Sequence, residues 1–175
     1  MSHRGAQKGG GKMRLKFFAL SVLFAVPLFA QPHMDKANGF RISPPRGWTK
    51  QASEHFKVFF VSKDQRANIG VTVEDTGEEV GAITFLDSVE EQMGVANIME
   101  GDEKQLDDPA IKQVGADDGA LGVFMRGEGA NQLRQLMFVF TRGTKVYTVI
   151  ITIREAEKET YRQLSKEVMN SFKLM

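Results

Sequence analysis

The sequence predicts an α+β fold in which an antiparallel sheet of six to seven strands is flanked by helices. Three observations carry this. Segments of two-residue period outnumber segments of helical period, and most are separated by turns of hairpin length. Two dense β-branched and aromatic stretches flank Arg142-Gly143-Thr144, and an amphipathic stripe closes the chain. The composition, 175 residues with 42% hydrophobic and 26% charged, supplies one ordinary core and excludes collagen, long coiled coil and wholesale disorder.

The elements follow in chain order. Phe40-Arg41-Ile42 alternates and meets Pro44-Pro45-Arg46-Gly47, which predicts a short edge strand turning into Trp48. Phe56 to Ser62 and Ile69 to Val73 read as a hairpin across the polar turn Asp64 to Ala67. Between Gly81 and Gly94 the period changes: Leu86, Val89 and Met93 share one helix face, with Thr84 as the expected N-cap. From Ile98 to Gly129, Ile98-Met99, Ile111 to Val114 and Leu121 to Met125 read as weak strands joined by turns. Leu133 to Thr141 and Lys145 to Ile153 form the strongest hairpin. Tyr161, Leu164, Val168 and Phe172 then mark one face of a helix expected to run from Glu155.

The first thirty residues read as an export signal. Met13 to Lys16 is cationic, Phe17 to Ala30 is an apolar run of about fourteen residues, and Leu28-Phe29-Ala30 ends it in a small residue. A membrane span needs about 20 apolar residues, and Gln31-Pro32-His33-Met34-Asp35 stops the run early. Cleavage after Ala30 is expected, with residues 1–12 as a candidate misassigned start before Met13. Residues 31–38 are then a short linker and residues 39–175 the domain. The head holds five cations and no acid against a total of +1, which leaves −4 for residues 31–175. That acidic body excludes nucleic acid as a default partner. The chain has no cysteine, so thiol catalysis, disulfides and a lipid-carrying cysteine after Ala30 are excluded. The expected mature protein is periplasmic or extracellular and has no stable membrane anchor.

Catalytic and metal patterns are weak. No Gly-x-Ser-x-Gly accompanies His55, which reads as loop. His33 stands third after the expected cleavage, but Pro32 has no amide hydrogen to give a copper ion, and no metal-ligand spacing supports it or the adjacent Met34. The acidic pairs Glu74-Asp75, Glu78-Glu79, Asp107-Asp108 and Asp117-Asp118 lack the EF-hand order and read as turn chemistry. No enzyme, cofactor or metal is therefore expected. The apolar runs pose a different question. Phe59-Phe60 and Met137 to Phe140 suit strands covered on both faces, or else a surface in which Trp48, Phe59, Met125 and Met137 meet a partner. Trp48, aimed by a proline-fixed corner, is expected as a core plug, with an interface anchor as the other destination.

Gly39-Phe40-Arg41-Ile42, Pro44-Pro45-Arg46-Gly47-Trp48, the strands that follow, Val146-Tyr147-Thr148-Val149 and the ending Asn170-Ser171-Phe172-Lys173 together resemble the PsbP-like superfamily over nearly all of residues 39 to 174. That superfamily includes the photosystem II subunit PsbP, bacterial DcrB proteins and the Eag-type chaperones of type VI secretion. The resemblance implies an α/β/α sandwich used as a binding or assembly module rather than an enzyme, and it assigns no binding residue. The expected role is that of an exported accessory protein contacting another envelope or secreted protein. The alternative is a carrier of a small apolar ligand between sheet and helix, and a hydrolase is least favoured.

Overall fold

The computed structural model describes residues 31–94, 97–98 and 104–175; the expected export signal, residues 1–30, lies outside them. Six strands form one antiparallel sheet in the order β3-β4-β5-β8-β7-β6: β3 (Thr49–Gln51), β4 (Val58–Val61), β5 (Ala67–Asp75), β6 (Asp118–Arg126), β7 (Leu133–Arg142) and β8 (Lys145–Arg154). The dense pair flanking Gly143 is a ten-residue hairpin, with Leu133 opposite Arg154 and Arg142 opposite Lys145. Its turn requires Gly143, whose φ is 57°.

A second, three-stranded sheet was not expected. It joins β1 (His33–Asp35), β2 (Phe40–Ile42) and β9 (Lys173–Leu174), with β2 in the centre. Residues 31–38 are thus not a plain linker, and Phe40–Ile42 is no edge strand. The reversal between β1 and β2 is local: Asp35 accepts from the Asn38 amide at 3.0 Å, and Gly39, at φ 75°, donates to the Asp35 carbonyl at 2.8 Å. Three-residue strands show too little alternation to be read from sequence. Pairing with the far end of the chain is a long-range fact.

Helix α1 (Ala82–Met93) covers one face of the large sheet over β6 and β7. The expected Thr84 cap is corrected: the helix starts earlier, capped by Gly81, and Asp118 Oδ2 accepts from the Ala82 amide at 2.8 Å. Ile111 to Val114 is likewise corrected from strand to helix. It belongs to α2 (Asp108–Val114), which Asp107 caps by accepting from Ala110 at 3.1 Å and Pro109 helps to start. Of the expected Ile98-Met99 strand, Ile98 is 54% exposed beside an isolated bridge from Asn97 to Phe124, and Met99 lies outside the described residues.

The C-terminal helix is shorter than its stripe. Glu155–Glu157 is a single 3-10 turn, turns follow, and α3 spans only Leu164–Ser171. Leu164, Val168 and Phe172 keep the expected buried face. α2, α3 and the small sheet form the layer opposite α1. Between this layer and the large sheet lies the main core, with Phe40, Phe140 and Phe172 in contact at centroid distances of 5.8 to 5.9 Å. A second core of Ala82, Leu86, Ala120, Phe124, Met137, Val139 and Val146 lies under α1. The expected α/β/α sandwich is present, and every core residue lies between Phe40 and Leu174.

Candidate binding groove

The groove begins at the Pro44-Pro45-Arg46-Gly47 corner. Gly47 adopts φ 84°, and the Trp48 amide donates to the Pro45 carbonyl at 3.2 Å. This corner sets the indole against Tyr161, edge to face, at 6.5 Å and 88°. Trp48 is half-buried: it packs on the rim of the main core and lines a solvent-open cleft of about 460 Å³ with Arg46, Ser62, Lys63, Asp64 and Tyr161. The expected core plug is therefore only partly realised.

The β4–β5 turn builds the polar wall. Ser62 Oγ donates to Asp64 Oδ1 at 2.7 Å and accepts from the amides of Arg66 and Ala67. Tyr161 donates its hydroxyl to the same carboxylate at 2.9 and 3.0 Å. The Ser62 bond first, then the Arg66 amide and Tyr161, hold the Asp64 carboxyl below its ordinary value, while burial pushes the Tyr161 phenol up. Tyr161 is thus fixed at both ends, by Trp48 and by Asp64.

On the other side of Tyr161 a second open cleft, about 230 Å³, lies between the sheet and α3. Leu136, Ile151, Ile153 and Leu164 line it, and Arg134, Lys158, Glu159 and Arg162 supply its charges. Glu155 fixes two of these cations, accepting from Arg134 at 2.7 and 3.2 Å and from Lys158 at 3.0 Å. Those bonds lower the Glu155 carboxyl to about 2. Tyr161 lines both clefts and stands between them as an aromatic step, so the two clefts, taken together as the groove, offer an apolar floor on one side, a polar wall on the other and a charged rim.

The four residues expected to share a partner surface do not converge. Trp48 borders the groove. Met125, opposite Arg134 in the β6–β7 register, is half-buried on the groove side of the sheet but at its far edge. Phe59 and Met137 lie on the opposite face, in the cross-strand row Phe59, Gly70, Ile150, Met137 and Gly122. There Met137 is buried beneath α1, and Phe59 stacks on Phe56 at 5.2 Å. One-residue alternation decides this separation, and only the register reveals it. In the sequence Tyr161, the residue common to both clefts, is one more residue of the helical stripe. Its exposure follows from the chain leaving helical geometry before Leu164.

Four residues of the acidic pairs act in turns and caps: Asp107 and Asp118 serve α2 and α1, Asp117 accepts from the Gly143 amide at 2.9 Å, and Asp75 from Gly77 at 3.1 Å. His55 is an exposed loop residue, and His33 packs beside Phe40 and Phe60. Among the described residues no three His, Asp or Glu side chains converge to hold a metal.

The PsbP family model matches residues 30–174. The chain belongs to the PsbP family. Its fold is similar to the solution structure of cyanobacterial PsbP from Synechocystis sp. PCC 6803, with a TM-score of 0.58 at 18% identity over 89% of this chain and 99% of that one. It is also similar to LpqN, involved in cell envelope biogenesis of Mycobacterium tuberculosis, with a TM-score of 0.52 at 11% identity over 83% and 90% of the two chains. A third similar structure comes from Bacteroides thetaiotaomicron VPI-5482, with a TM-score of 0.55 at 12% identity; 85% of this chain matches, spanning 49% of that protein. At these identities the PsbP-family fold is shared. No curated protein sequence matches the chain. No helix among the described residues of this PsbP-family chain is long and apolar enough to cross a membrane.

Proposed function

We propose that this PsbP-family chain is an exported, non-enzymatic accessory protein that binds a segment of another envelope protein in the groove between Trp48 and Leu164. The observation that carries this reading is the fixed aromatic step of Trp48 and Tyr161 between two solvent-open clefts. A small-molecule site buries most of its ligand, about 70–90% of its surface. An open groove with an aromatic anchor and a charged rim matches a protein interface instead, where Trp, Tyr and Arg dominate binding energy. Family membership adds support, since PsbP-like proteins are generally non-enzymatic. The export pattern of residues 13–30 and the similarity to LpqN, which is involved in cell envelope biogenesis, support the location.

A second reading, the apolar-ligand carrier, is favoured by one feature: the 230 Å³ cleft lies between Ile151 and Ile153 of the sheet and Leu164 of α3. A photo-crosslinking residue at Lys63, on the groove rim, separates the two. In the native envelope it is expected to give a discrete protein adduct, whereas the same residue at Lys57, which does not line the groove, gives none. Equal adducts from both positions, or a lipid or small molecule extracted from the purified protein with no adduct at Lys63, would reject the protein-binding reading.

A further inference from the structure

In a different place in the fold two cations are set against each other. In the small sheet Arg41 stands directly opposite Lys173, and Met34 directly opposite Arg41. Like charges facing each other across a ladder destabilise it. The Lys173 Nζ is moreover buried, with no hydrogen-bond partner among the described residues. A buried, unpaired ammonium is costly, and such groups call for a specific explanation. Desolvation, and secondarily the Arg41 charge, lowers the Lys173 pKa, as expected of a cation placed against its own interest.

These residues line a cleft of about 300 Å³ between β2, β9 and α2. Lys112 of α2 adds a third cation, no Asp or Glu is among the lining residues, and the main-chain oxygen of Met175, which also lines the cleft, accepts from Arg142 at 3.1 Å. The nearest acid in its contacts, Asp108, meets Lys112 at 3.8 Å with both side chains about four-fifths exposed, 79% and 84%, a pair too solvated to neutralise the site. The flanks are apolar. Met34 at 50% and Met175 at 48% are two of the three exposed large hydrophobic residues among those described, and both line this cleft.

We infer that the Arg41, Lys112 and Lys173 cleft is a binding site for a phosphate group, supplied either by an anionic lipid headgroup or by a free phosphate ester. The exposed Arg41 and Lys112 meet the phosphate, whose negative charge offsets the like-charge contact between Arg41 and the buried Lys173 ammonium. Met34 and Met175 meet the apolar part of a lipid when the headgroup is the source. The site is independent of the Trp48–Tyr161 groove and stands or falls without it.

The test uses residues 31–175, which contain every strand, helix and core residue described above, so that the basic apolar head cannot bind vesicles itself. Binding is measured to POPC vesicles with and without POPG, and to glycerol phosphate by amide resonance shifts. Binding that requires POPG and weakens about fivefold in each of Arg41→Gln and Lys112→Gln, near 1 kcal/mol per cation at a membrane surface, assigns the site to a lipid headgroup; Lys57→Gln serves as the unaffected control. Shifts at residues 41, 112 and 173 with glycerol phosphate, without vesicle binding, assign it to a free ester. Lys112 is exposed, so its variant leaves the fold intact and keeps the test decisive. Lys173→Gln is expected to bind more weakly while unfolding at equal or higher urea concentration, the signature of a charge kept for a ligand. No binding in either arm, or binding equally weakened by Lys57→Gln, overturns the proposal.

Discussion

Phe172 has no exposed surface and touches Phe40 from β2 and Phe140 from β7, so one ring ties the end of the chain to its beginning and to the large sheet. Phe172→Ala is expected to cost about 3–5 kcal/mol, read from urea melts; a loss below about 1 kcal/mol would show that the chain end is not docked. Glu155 acts at the same scale through charge. Its carboxyl is lowered from 4.5 to about 2 by bonds from Arg134 and Lys158. A carboxylate lowered by folding stabilises the fold above its unfolded pKa, and that contribution disappears as pH falls through the folded value. Asp118 acts in the same direction: burial pushes its carboxyl up, but bonds from Ala82, Gln105 and Gly119 outweigh burial and hold it down. The urea midpoint should therefore fall between about pH 4.5 and pH 2, and Glu155→Gln should flatten part of that fall. An unchanged pH profile in Glu155→Gln would remove the pair from the account. The Arg134 to Glu155 pair is not visible from sequence, because the two become neighbours only through the hairpin register.

Among the elements, α1 depends on a glycine in the strand beneath it. A Cβ on Gly122 would lie 2.8 Å from the Phe124 ring and 2.9 Å from Leu86 of α1, so the helix approaches β6 as closely as it does because that side chain is absent. Gly122→Ala should cost about 1–3 kcal/mol by overpacking, and amide exchange should rise in α1 more than in β8; uniform or absent change would place the close approach elsewhere. The long periodic elements were legible: α1, the β7–β8 hairpin and the β4–β5 hairpin each carry enough repeats to declare their period. Residues 105–129 were harder. Ile111 to Val114 is apolar enough for a strand, and the cap at Asp107 with Pro109 after it decided for a helix. At the other end, Leu164, Val168 and Phe172 keep one buried face, yet the helix begins only at Leu164, and in the turns before it Tyr161 is bound to Asp64 and Glu157 to Arg66. Tertiary ties overrode the local period there, and the same departure exposes Tyr161 to the groove.

For the whole molecule, the layered α+β architecture and the family resemblance were both readable from Gly39 to Phe172, whereas the small sheet was not, since it joins residues 33–35 to residues 173–174 across the chain. The candidate site was legible only in part. Trp48 stands out by its corner, whereas Phe59 and Met137 stand out by their continuous apolar runs and Met125 by its side-chain type, and the register distributes them over two faces. What makes the groove a binding surface is the pairing of Trp48 with Tyr161 at 6.5 Å, a contact spanning most of the chain length. The most direct measurement is the yield of the Lys63 photo-crosslink in Trp48→Ala relative to the parent, in protein whose far-ultraviolet circular dichroism is unchanged. An anchor residue at the centre of an interface contributes about 2 kcal/mol or more, so the account predicts a loss of roughly thirtyfold in affinity and a corresponding collapse of the adduct. A folded Trp48→Ala protein that crosslinks as well as the parent would contradict it.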